Sequence, residues 1–291
     1  MPLTLNGVLE LLPKAVSGPI FDRAAEASLV QRLAPKIPTT LSGTAIPVTV
    51  GEIEADWVAE GAEKYVADAS ATVLIMEPKK VATIVVVSEE FFRSNPGGLY
   101  DQIRERAGEA LGRAFDIAAL HGKRTVGAGA GPFTTYVNQT TQEIALGTTT
   151  KPDGGLEGDL IGGQALVTDF NGYGLDKTVR ARLANTRDAQ GRVMVAGTDT
   201  VGGVRAEYGT AVHKGDPLIA GWGGDWAKCA YGVGLDITAK VTDQASVKIG
   251  GTLTSLWQTN QVGLLLEAAY GFVVHQPALN FVRYLEPVVT L

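Results

Sequence analysis

The fold is decided by residues 52–88, which read EIEADWVAEGAEKYVADASATVLIMEPKKVATIVVVS. The first residues of this stretch alternate in polarity, with Trp57 on the apolar side. This alternation predicts a strand with one polar, solvent-exposed face. The run at 71–88 is rich in β-branched residues and predicts a longer strand, in which Pro78 indicates an edge position or a bulge. We therefore predict a long hairpin at 51–88 with a polar tip.

Such a two-stranded hairpin is only marginally stable by itself in water, because little surrounds its apolar side chains. We expect it to lie on another copy of the chain, so self-assembly is the first function that the sequence indicates. The side chains expected at this intersubunit contact are Trp57, Glu60, Lys64, Tyr65, Lys79 and Lys80.

The clearest helix is predicted at about 96–121, where apolar residues recur at helical spacing opposite charged ones. Glu109 and Arg113 form a favourable i, i+4 pair on its surface. Glu89 and Glu90 precede the helix, and we expect them to interact with its N-terminal dipole or with an arginine of a neighbour. With a rise of about 1.5 Å per residue, this spine helix can span a domain. Its candidate structural residues are Leu99, Ile103, Leu111 and Arg113.

The rest of the chain is organised around these two elements. Prolines punctuate residues 1–50, which indicates an extended arm with one short helix at about 21–33. A connection rich in glycine and threonine leads into a mixed region that ends near residue 235. Alternating strands follow in 236–291. No repeat of fixed period occurs, and the predicted fold class is α+β.

The composition suits a subunit that its neighbours cover. Of the 291 residues, 45% are hydrophobic and 19% are charged, below the roughly 25% of an average protein. The net charge of −6 argues against tight, sequence-independent binding of nucleic acid, so any DNA contact should be weak. The lone Cys229 cannot close an intrachain disulfide, and no stretch has the length and apolarity of a membrane helix. We expect synthesis in a reducing cytoplasm.

Five segments of the chain, taken in order, are similar to one known family. They are IPVTVGEIEADWVAEGAEKYVADAS, MEPKKVATIVVVSEEFF, FDIAALHGK, RARLANTRDAQGRVMV and GLLLEAAYGFVVHQPALNFVR. They resemble the major capsid proteins of tailed bacteriophages, which have the Hong Kong 97 phage-type shell fold. The resemblance covers most of the chain from about residue 46, and it rests on the order of the segments, since none is a sharp motif by itself.

The resemblance implies a division of the chain into an N-terminal arm, 1–50; an extended β-hairpin loop, 51–88; a peripheral domain, 89–129, which resumes at 236–291; and an axial domain, 130–235. In this family the hairpin lies over a neighbouring subunit, and axial domains meet at five-fold and six-fold centres. Some members begin with a long scaffolding segment that a protease removes. This chain is too short ahead of its arm to hold one, so we expect no N-terminal maturation cleavage and a separate scaffolding protein or none.

The function that the resemblance implies is that of a major capsid protein, which self-assembles into hexamers and pentamers of an icosahedral virion shell around double-stranded DNA. Its partners would be copies of itself, a portal, scaffolding or decoration proteins, and DNA through weak contacts. No cofactor, metal or membrane is implied, and the protein would be made in the host bacterial cytoplasm. Two alternatives stay open: a nanocompartment shell of similar fold around a cargo protein, and a soluble glycine-rich enzyme or ligand-binding domain.

Some family members join their subunits by an isopeptide bond between a hairpin lysine and an asparagine, with a glutamate as base. Asn260 and Glu267 fall where the asparagine and glutamate would lie. The lysine position reads Val73, and Lys79 is a displaced substitute. An attacking lysine must be uncharged, which requires a desolvated site. Chance matching in a polar strand is the competing interpretation.

Sequence patterns for catalysis are weak. The glycines of GAGAG at 127–131 lack the spacing of a phosphate-binding loop, and His121, His213 and His275 lack the spacing of metal ligands. Cys229 lies among apolar residues, where we expect it to be buried. No G-x-S-x-G nucleophile motif occurs. We therefore predict that the chain is not an enzyme.

Overall fold

The computed structural model describes residues 28–50, 55–61, 63–66, 70–95, 99–127, 129–150, 155–187 and 197–287. The helices in these ranges are α1 (Leu29–Leu33), α2 (Glu89–Ser94), α3 (Leu99–His121), α4 (Gly155–Gly162), α5 (Lys177–Ala184), α6 (Ala211–Gly215) and α7 (Pro277–Asn280). The strands are β1 (Thr44–Val50), β2 (Ser70–Met76), β3 (Lys79–Ser88), β4 (Gln142–Ala145), β5 (Gly172–Asp176), β6 (Thr200–Val201), β7 (Val204–Gly209), β8 (Ile219–Gly224), β9 (Cys229–Thr242), β10 (Ser246–Ile249), β11 (Thr252–Ser255), β12 (Gln261–Val274) and β13 (Phe281–Leu285). This mixture of helices and strands confirms the α+β class.

One half of the core lies between the spine helix α3 and a three-stranded antiparallel sheet in the order β3-β12-β9. β12 is central because its sequence, QVGLLLEAAYGFVV, is apolar enough to be covered on both faces. Phe115 of the helix lies in an aromatic cluster, with ring centroids 5.1 Å from Tyr270 and 6.0 Å from Phe133. Burial of these rings, at about 25 cal/mol per Å² of apolar surface, stabilises the helix on the sheet.

The other half of the core surrounds a six-stranded sheet in the order β4-β13-β8-β5-β7-β6. Glycine is required in β8, because a Cβ on Gly223 would lie 2.3 Å from the ring of Phe170. β13 is hydrogen-bonded between β4 and β8. The final strand thus belongs to this sheet, whereas the predicted range 236–291 placed it with the spine helix. The sequence pattern marks a strand there but carries no signal of its partner.

The hairpin strands differ from the prediction. β1 pairs antiparallel with β2, from Thr44 opposite Met76 to Val50 opposite Ser70, and we call this pair the ribbon. The strand predicted at 52–59 is not formed over the described residues 55–59. The ribbon begins earlier and includes Pro47, which an edge strand accepts because one side of it needs no hydrogen-bond donor.

The long β-branched run at 71–88 forms two strands that belong to different sheets, whereas the sequence predicted one strand. Pro78 lies between β2, which belongs to the ribbon, and β3, which pairs with β12 from Lys79 opposite Tyr270 to Ser88 opposite Gln261. The break follows from proline, which has no N–H to donate to a strand ladder. The predicted hairpin at 51–88 is therefore corrected to strands at 44–50 and 70–76.

The arm packs on its own subunit where it is described. α1 lies within the predicted helix at 21–33, of which residues 21–27 are outside the described ranges. Beyond α1, the Ile37 N–H donates to the carbonyl oxygen of Tyr231 at 2.8 Å, and the Tyr231 N–H donates to the Pro35 carbonyl at 3.1 Å. The arm therefore adds hydrogen bonds to the free edge of β9.

The spine helix agrees with the predicted 96–121 from Leu99 onward, and residues 96–98 lie outside the described ranges. Glu89 and Glu90 do not lie at the N-terminus of this helix, which corrects the first part of our expectation, while contact with an arginine of a neighbour stays a prediction. They occupy the first turn of the separate helix α2, where the Ser88 hydroxyl accepts a hydrogen bond from the Phe91 N–H at 3.3 Å. Glu89 pairs with Arg93 four residues later in the same helix.

Candidate intersubunit surfaces

The tip of the ribbon, residues 51–69, exposes large apolar side chains where it is described, at 55–61 and 63–66. Trp57 is 99% exposed, Val66 84% and Tyr65 58%. Glu60 and Lys64 are exposed beside them. A fully buried side chain of this size is stabilised by about 1.5–3 kcal/mol or more, and in the single chain that stabilisation is absent. These are the properties of a surface that binds something else.

Met76 is the buried residue at the centre of the contact that holds the foot of the ribbon. Met76 is fully buried, and it lies against Gly232 of β9 and Gly271 of β12, which are partners across those two strands. A Cβ on either glycine would come within 2.8 Å of the Met76 side chain, so only glycine leaves this slot open. On the other face of β2, Val73 and Ile75 are 57% and 68% exposed. The ribbon is thus anchored at one end and uncovered along one face.

The two lysines predicted at the intersubunit contact lie in β3, at the foot of the ribbon. Lys79 Nζ is 2.6 Å from Glu77 Oε2, and Lys80 Nζ is 2.6 Å from Glu267 Oε1. Lys240 also approaches Glu267, at 4.0 Å. The hydrogen bond from Lys80 holds the pKa of the Glu267 carboxyl below its usual value.

The three candidate crosslink residues do not come together within one chain. Glu267 is opposite Ala82 in the sheet, Lys79 is opposite Tyr270, and Asn260 lies in the turn before β12. At about 3.3 Å per residue along a strand, Asn260 is more than about 20 Å from Glu267. A lowered pKa also makes Glu267 a weaker base. An isopeptide bond would therefore have to join residues of different copies, and chance matching stays the competing interpretation.

The spine-helix residues divide between packing and surface roles. Leu111 is 1% exposed in the core, and Ile103 is half-buried nearer the start of the helix. Leu99 begins the helix. Arg113 Nη1 lies 3.5 Å from Glu109 Oε2, as the i, i+4 spacing predicted.

A second exposed apolar surface was not predicted. The short β10–β11 hairpin turns through Gly250 and Gly251, whose φ angles of 59° and 90° suit a two-residue hairpin turn. Leu253, in β11, is 66% exposed, and Trp257, just after β11, is 73% exposed. The Gly-Gly pair between alternating residues is the sequence signal that could have located this hairpin.

The surroundings of His121, His213 and Cys229 are those of residues that stabilise the fold. Burial raises the pKa of Cys229 well above its ordinary value, so it remains a thiol. Burial lowers the pKa of His121 to about 4, and its ring packs edge-on against Trp222 with centroids 4.9 Å apart. His213 lies between carboxylates, with Nδ1 3.3 Å from Asp176 Oδ1. Within the described ranges no cluster of three His, Cys, Asp or Glu could hold a metal, and no helix could cross a membrane.

A half-anchored ribbon with an exposed aromatic tip, mounted on a helix-backed sheet, defines a subunit built to associate. Comparison with known proteins also identifies proteins that assemble from many subunits. A profile of the phage capsid family matches residues 10–279. The probable major capsid proteins gp17 of Mycobacterium phages D29 and L5 are each 30% identical over 277 residues, 87% of this chain and 83% and 82% of those proteins.

Solved structures show the same fold at lower identity. A chain from Mycobacterium phage Ogopogo has a TM-score of 0.73 and 22% identity, covering 90% of this chain and 92% of that one. A chain from Gordonia phage Cozz has a TM-score of 0.71 and 23% identity, covering 90% and 87%. The chain belongs to the phage capsid family. Membership of this family of structural proteins confirms that it is a capsid component and not an enzyme.

Proposed function

We propose that the chain is the major capsid protein of a tailed phage, and that copies of it form the hexamers and pentamers of an icosahedral shell around double-stranded DNA. The observation that carries the proposal is the ribbon, whose tip exposes 99% of Trp57 while its foot is fixed by the fully buried Met76. A rigid foot with an uncovered tip suits a contact to a neighbour, because little further order has to be imposed on binding.

The parts of the subunit take separate roles in this proposal. The ribbon and the side chains at its tip and foot contact a neighbour, and the six-stranded sheet lies in the axial domain that meets at five-fold and six-fold centres. The spine helix keeps these two parts at a fixed separation. An obligate interface of this kind buries about 2,000 Å² or more.

Other partners follow from the role of a shell. A portal, and scaffolding or decoration proteins, would bind the assembled lattice, and the chain would be made in the host bacterial cytoplasm. The net charge of −6 favours weak, non-specific contact with packaged DNA. Weak contact suits a container that must fill and empty.

The test is assembly of the purified protein, followed by size-exclusion chromatography and negative-stain microscopy. We expect closed particles far larger than the 30.5 kDa chain. A variant with residues 55–66 replaced by a short Gly-Ser link should fold, as judged by circular dichroism, and stay unassembled. A wild-type protein that remains a monomer or small oligomer would contradict the proposal and favour a soluble enzyme or binding domain.

The nature of the contents separates a virion from a nanocompartment. Particles isolated from infected cells should contain double-stranded DNA, measured by nuclease-protected nucleic acid. Particles that contain a cargo protein and little nucleic acid would contradict the virion role. The conclusion that the chain forms a shell would still hold.

A further inference from the structure

A pocket of about 830 Å³ lies where the arm, the spine helix and the six-stranded sheet meet. Arg32 of α1 and Arg113 of the spine helix contribute to its wall, together with residues of α5 and β7. The volume is within the range of sites that bind small molecules. A ligand in this pocket would contact parts of the chain that are far apart in sequence.

The pocket wall carries more positive than negative charge. Among the described residues, its cations are Arg32, Arg113, Lys177, Arg180 and Arg205. Its acidic residues in the same ranges are Glu109, Asp199 and Glu207. Five positive and three negative charges leave an excess of two positive charges, on a chain whose net charge is −6. Because charge of one sign in a concave site raises the local concentration of the opposite ion, the pocket favours an anion.

The arginines of the pocket are already held in place. Glu207 accepts hydrogen bonds from Arg205 Nε at 2.8 Å and Nη2 at 2.5 Å, and the same carboxylate pairs with Arg32. The guanidinium carbon of Arg180 lies 5.4 Å from the centre of the Tyr208 ring. Guanidinium groups that are already ordered lose little rotamer freedom when they bind an anion. Each has five N–H donors, so a carboxylate shared by two arginines leaves donors to spare.

Lys177 differs from the four arginines, because it forms no ion pair with any residue in the part of the chain that the structure describes. It is exposed at the first position of α5. Its ammonium group is a compact charge on a flexible stem, and it has no carboxylate to give up when an anion enters. Lys177 is therefore the cation that an added anion would neutralise most directly.

The wall offers little to an acidic peptide. Its apolar side chains among the described residues, Ala206 and Tyr208, are both buried, so peptide side chains would find little apolar surface to cover. Tight peptide contacts depend on such surface. A phosphate group binds through charge and hydrogen bonds alone, and two parallel N–H groups of one guanidinium match two of its oxygens. The chemistry of the wall therefore favours phosphate.

We propose that this pocket binds phosphate groups, held by Lys177 and by the guanidinium groups of Arg180 and Arg205. Two sources supply this chemistry: a small polyanion such as tripolyphosphate, and the sugar-phosphate backbone of DNA. The inference goes beyond the shell function, because it concerns a ligand of the single subunit.

The first test is isothermal titration calorimetry of the purified full chain with sodium tripolyphosphate at constant ionic strength. We expect Lys177→Gln and Arg205→Gln each to weaken binding roughly tenfold, as for the loss of one charge-assisted hydrogen bond. Lys248→Gln removes an exposed lysine of β10 outside the pocket, and this matched control should bind like wild type. Equal affinity in all three variants would overturn the proposal.

The second test separates the two sources of phosphate by titration with a short DNA duplex. Binding of tripolyphosphate alone would assign the pocket to a small polyanion. Binding of the duplex that Lys177→Gln weakens would assign it to the DNA backbone. A wild-type chain that binds neither probe would overturn the proposal. So would an oligoglutamate peptide that binds as tightly as tripolyphosphate, because the site would then have no preference for phosphate.

The third test locates the ligand. Because Arg32 contributes to the wall, bound tripolyphosphate should slow amide hydrogen exchange in α1, measured by mass spectrometry. This protection should be lost in Lys177→Gln and kept in Lys248→Gln. Binding that leaves exchange unchanged in α1, α5 and β7 would place the ligand elsewhere and overturn the proposal. These measurements do not require particles, so a failure of assembly would contradict the shell function without deciding the phosphate site.

Discussion

Asp116, in the spine helix, accepts a hydrogen bond from the hydroxyl of Ser28 at 2.6 Å, across 88 positions of sequence. The same carboxylate accepts from the N–H groups of Leu29 at 2.6 Å and Val30 at 3.2 Å. These are the unpaired donors at the start of α1, which need an acceptor when they are buried. Asp116 therefore fixes the end of the arm to the spine helix.

Removal of this acceptor should loosen the arm. We expect Asp116→Ala to lower the free energy of unfolding by about 2 kcal/mol, because it leaves buried donors without a partner. Urea denaturation of the unassembled subunit measures the change. Ser28→Ala should cost only about 1 kcal/mol, as for loss of an N-cap. Equal midpoints for Asp116→Ala and wild type would contradict this role.

The same carboxyl should make stability depend on pH. Burial raises the pKa of Asp116 from 3.8 to about 6. A raised folded-state pKa gives stabilisation that is complete below about pH 4 and is lost as the pH rises through 6. Relative to the non-titrating Asp116→Asn, the wild type should lose about 2 kcal/mol between pH 4 and 7. A difference that is constant with pH would show that Asp116 titrates normally.

The methionine slot should tolerate no larger residue than glycine. In Gly271→Ala the new Cβ would lie 2.8 Å from Met76 Cγ, so we expect a loss of about 1–3 kcal/mol in the free energy of unfolding and weaker assembly. Gly162→Ala, with open space around its Cβ, is the matched control and should be nearly neutral. The midpoints of thermal unfolding of the two variants measure the difference. Similar midpoints would show that Met76 leaves room for a Cβ at position 271.

The tip tryptophan should matter only between subunits. Because Trp57 is 99% exposed, Trp57→Ser should change the free energy of unfolding of the isolated subunit by less than about 0.5 kcal/mol. Assembly should fall at least tenfold, and Trp57→Phe should restore part of it. Chromatography beside circular dichroism separates the two effects. Normal particles from Trp57→Ser would exclude the tip from the interface.

The covalent chemistry is also testable. Lys79 is paired with Glu77, and the hydrogen bond from Lys80 lowers the pKa of Glu267, which makes Glu267 a weak base. We expect mature particles to run on a denaturing gel as one band at 30.5 kDa. A ladder of multiples that Asn260→Ala abolishes would instead establish the crosslink.

The local part of the fold could be predicted from the sequence. The spine helix was predicted because apolar residues repeat at a helical period from Leu99 to His121, and such a period reports the faces of one element. The need of a two-stranded hairpin for a second surface followed from its composition. Trp57 and Tyr65 were named as contact residues in this way.

Long-range pairing was decided only by the tertiary structure. The alternation at 52–59 looked like a strand, yet β1 lies at 44–50, since alternation describes two faces of a segment and says nothing about its hydrogen-bonding partner. The pairing of β13 with β8 and the hydrogen bond from Ser28 to Asp116 join residues far apart in sequence. The sequence by itself determined the spine helix, the run of β-branched residues at 71–88 that forms strands, and the need of a two-stranded hairpin for a second surface. Packing in three dimensions decided where each segment binds, because that choice depends on shape and charge contributed by distant residues.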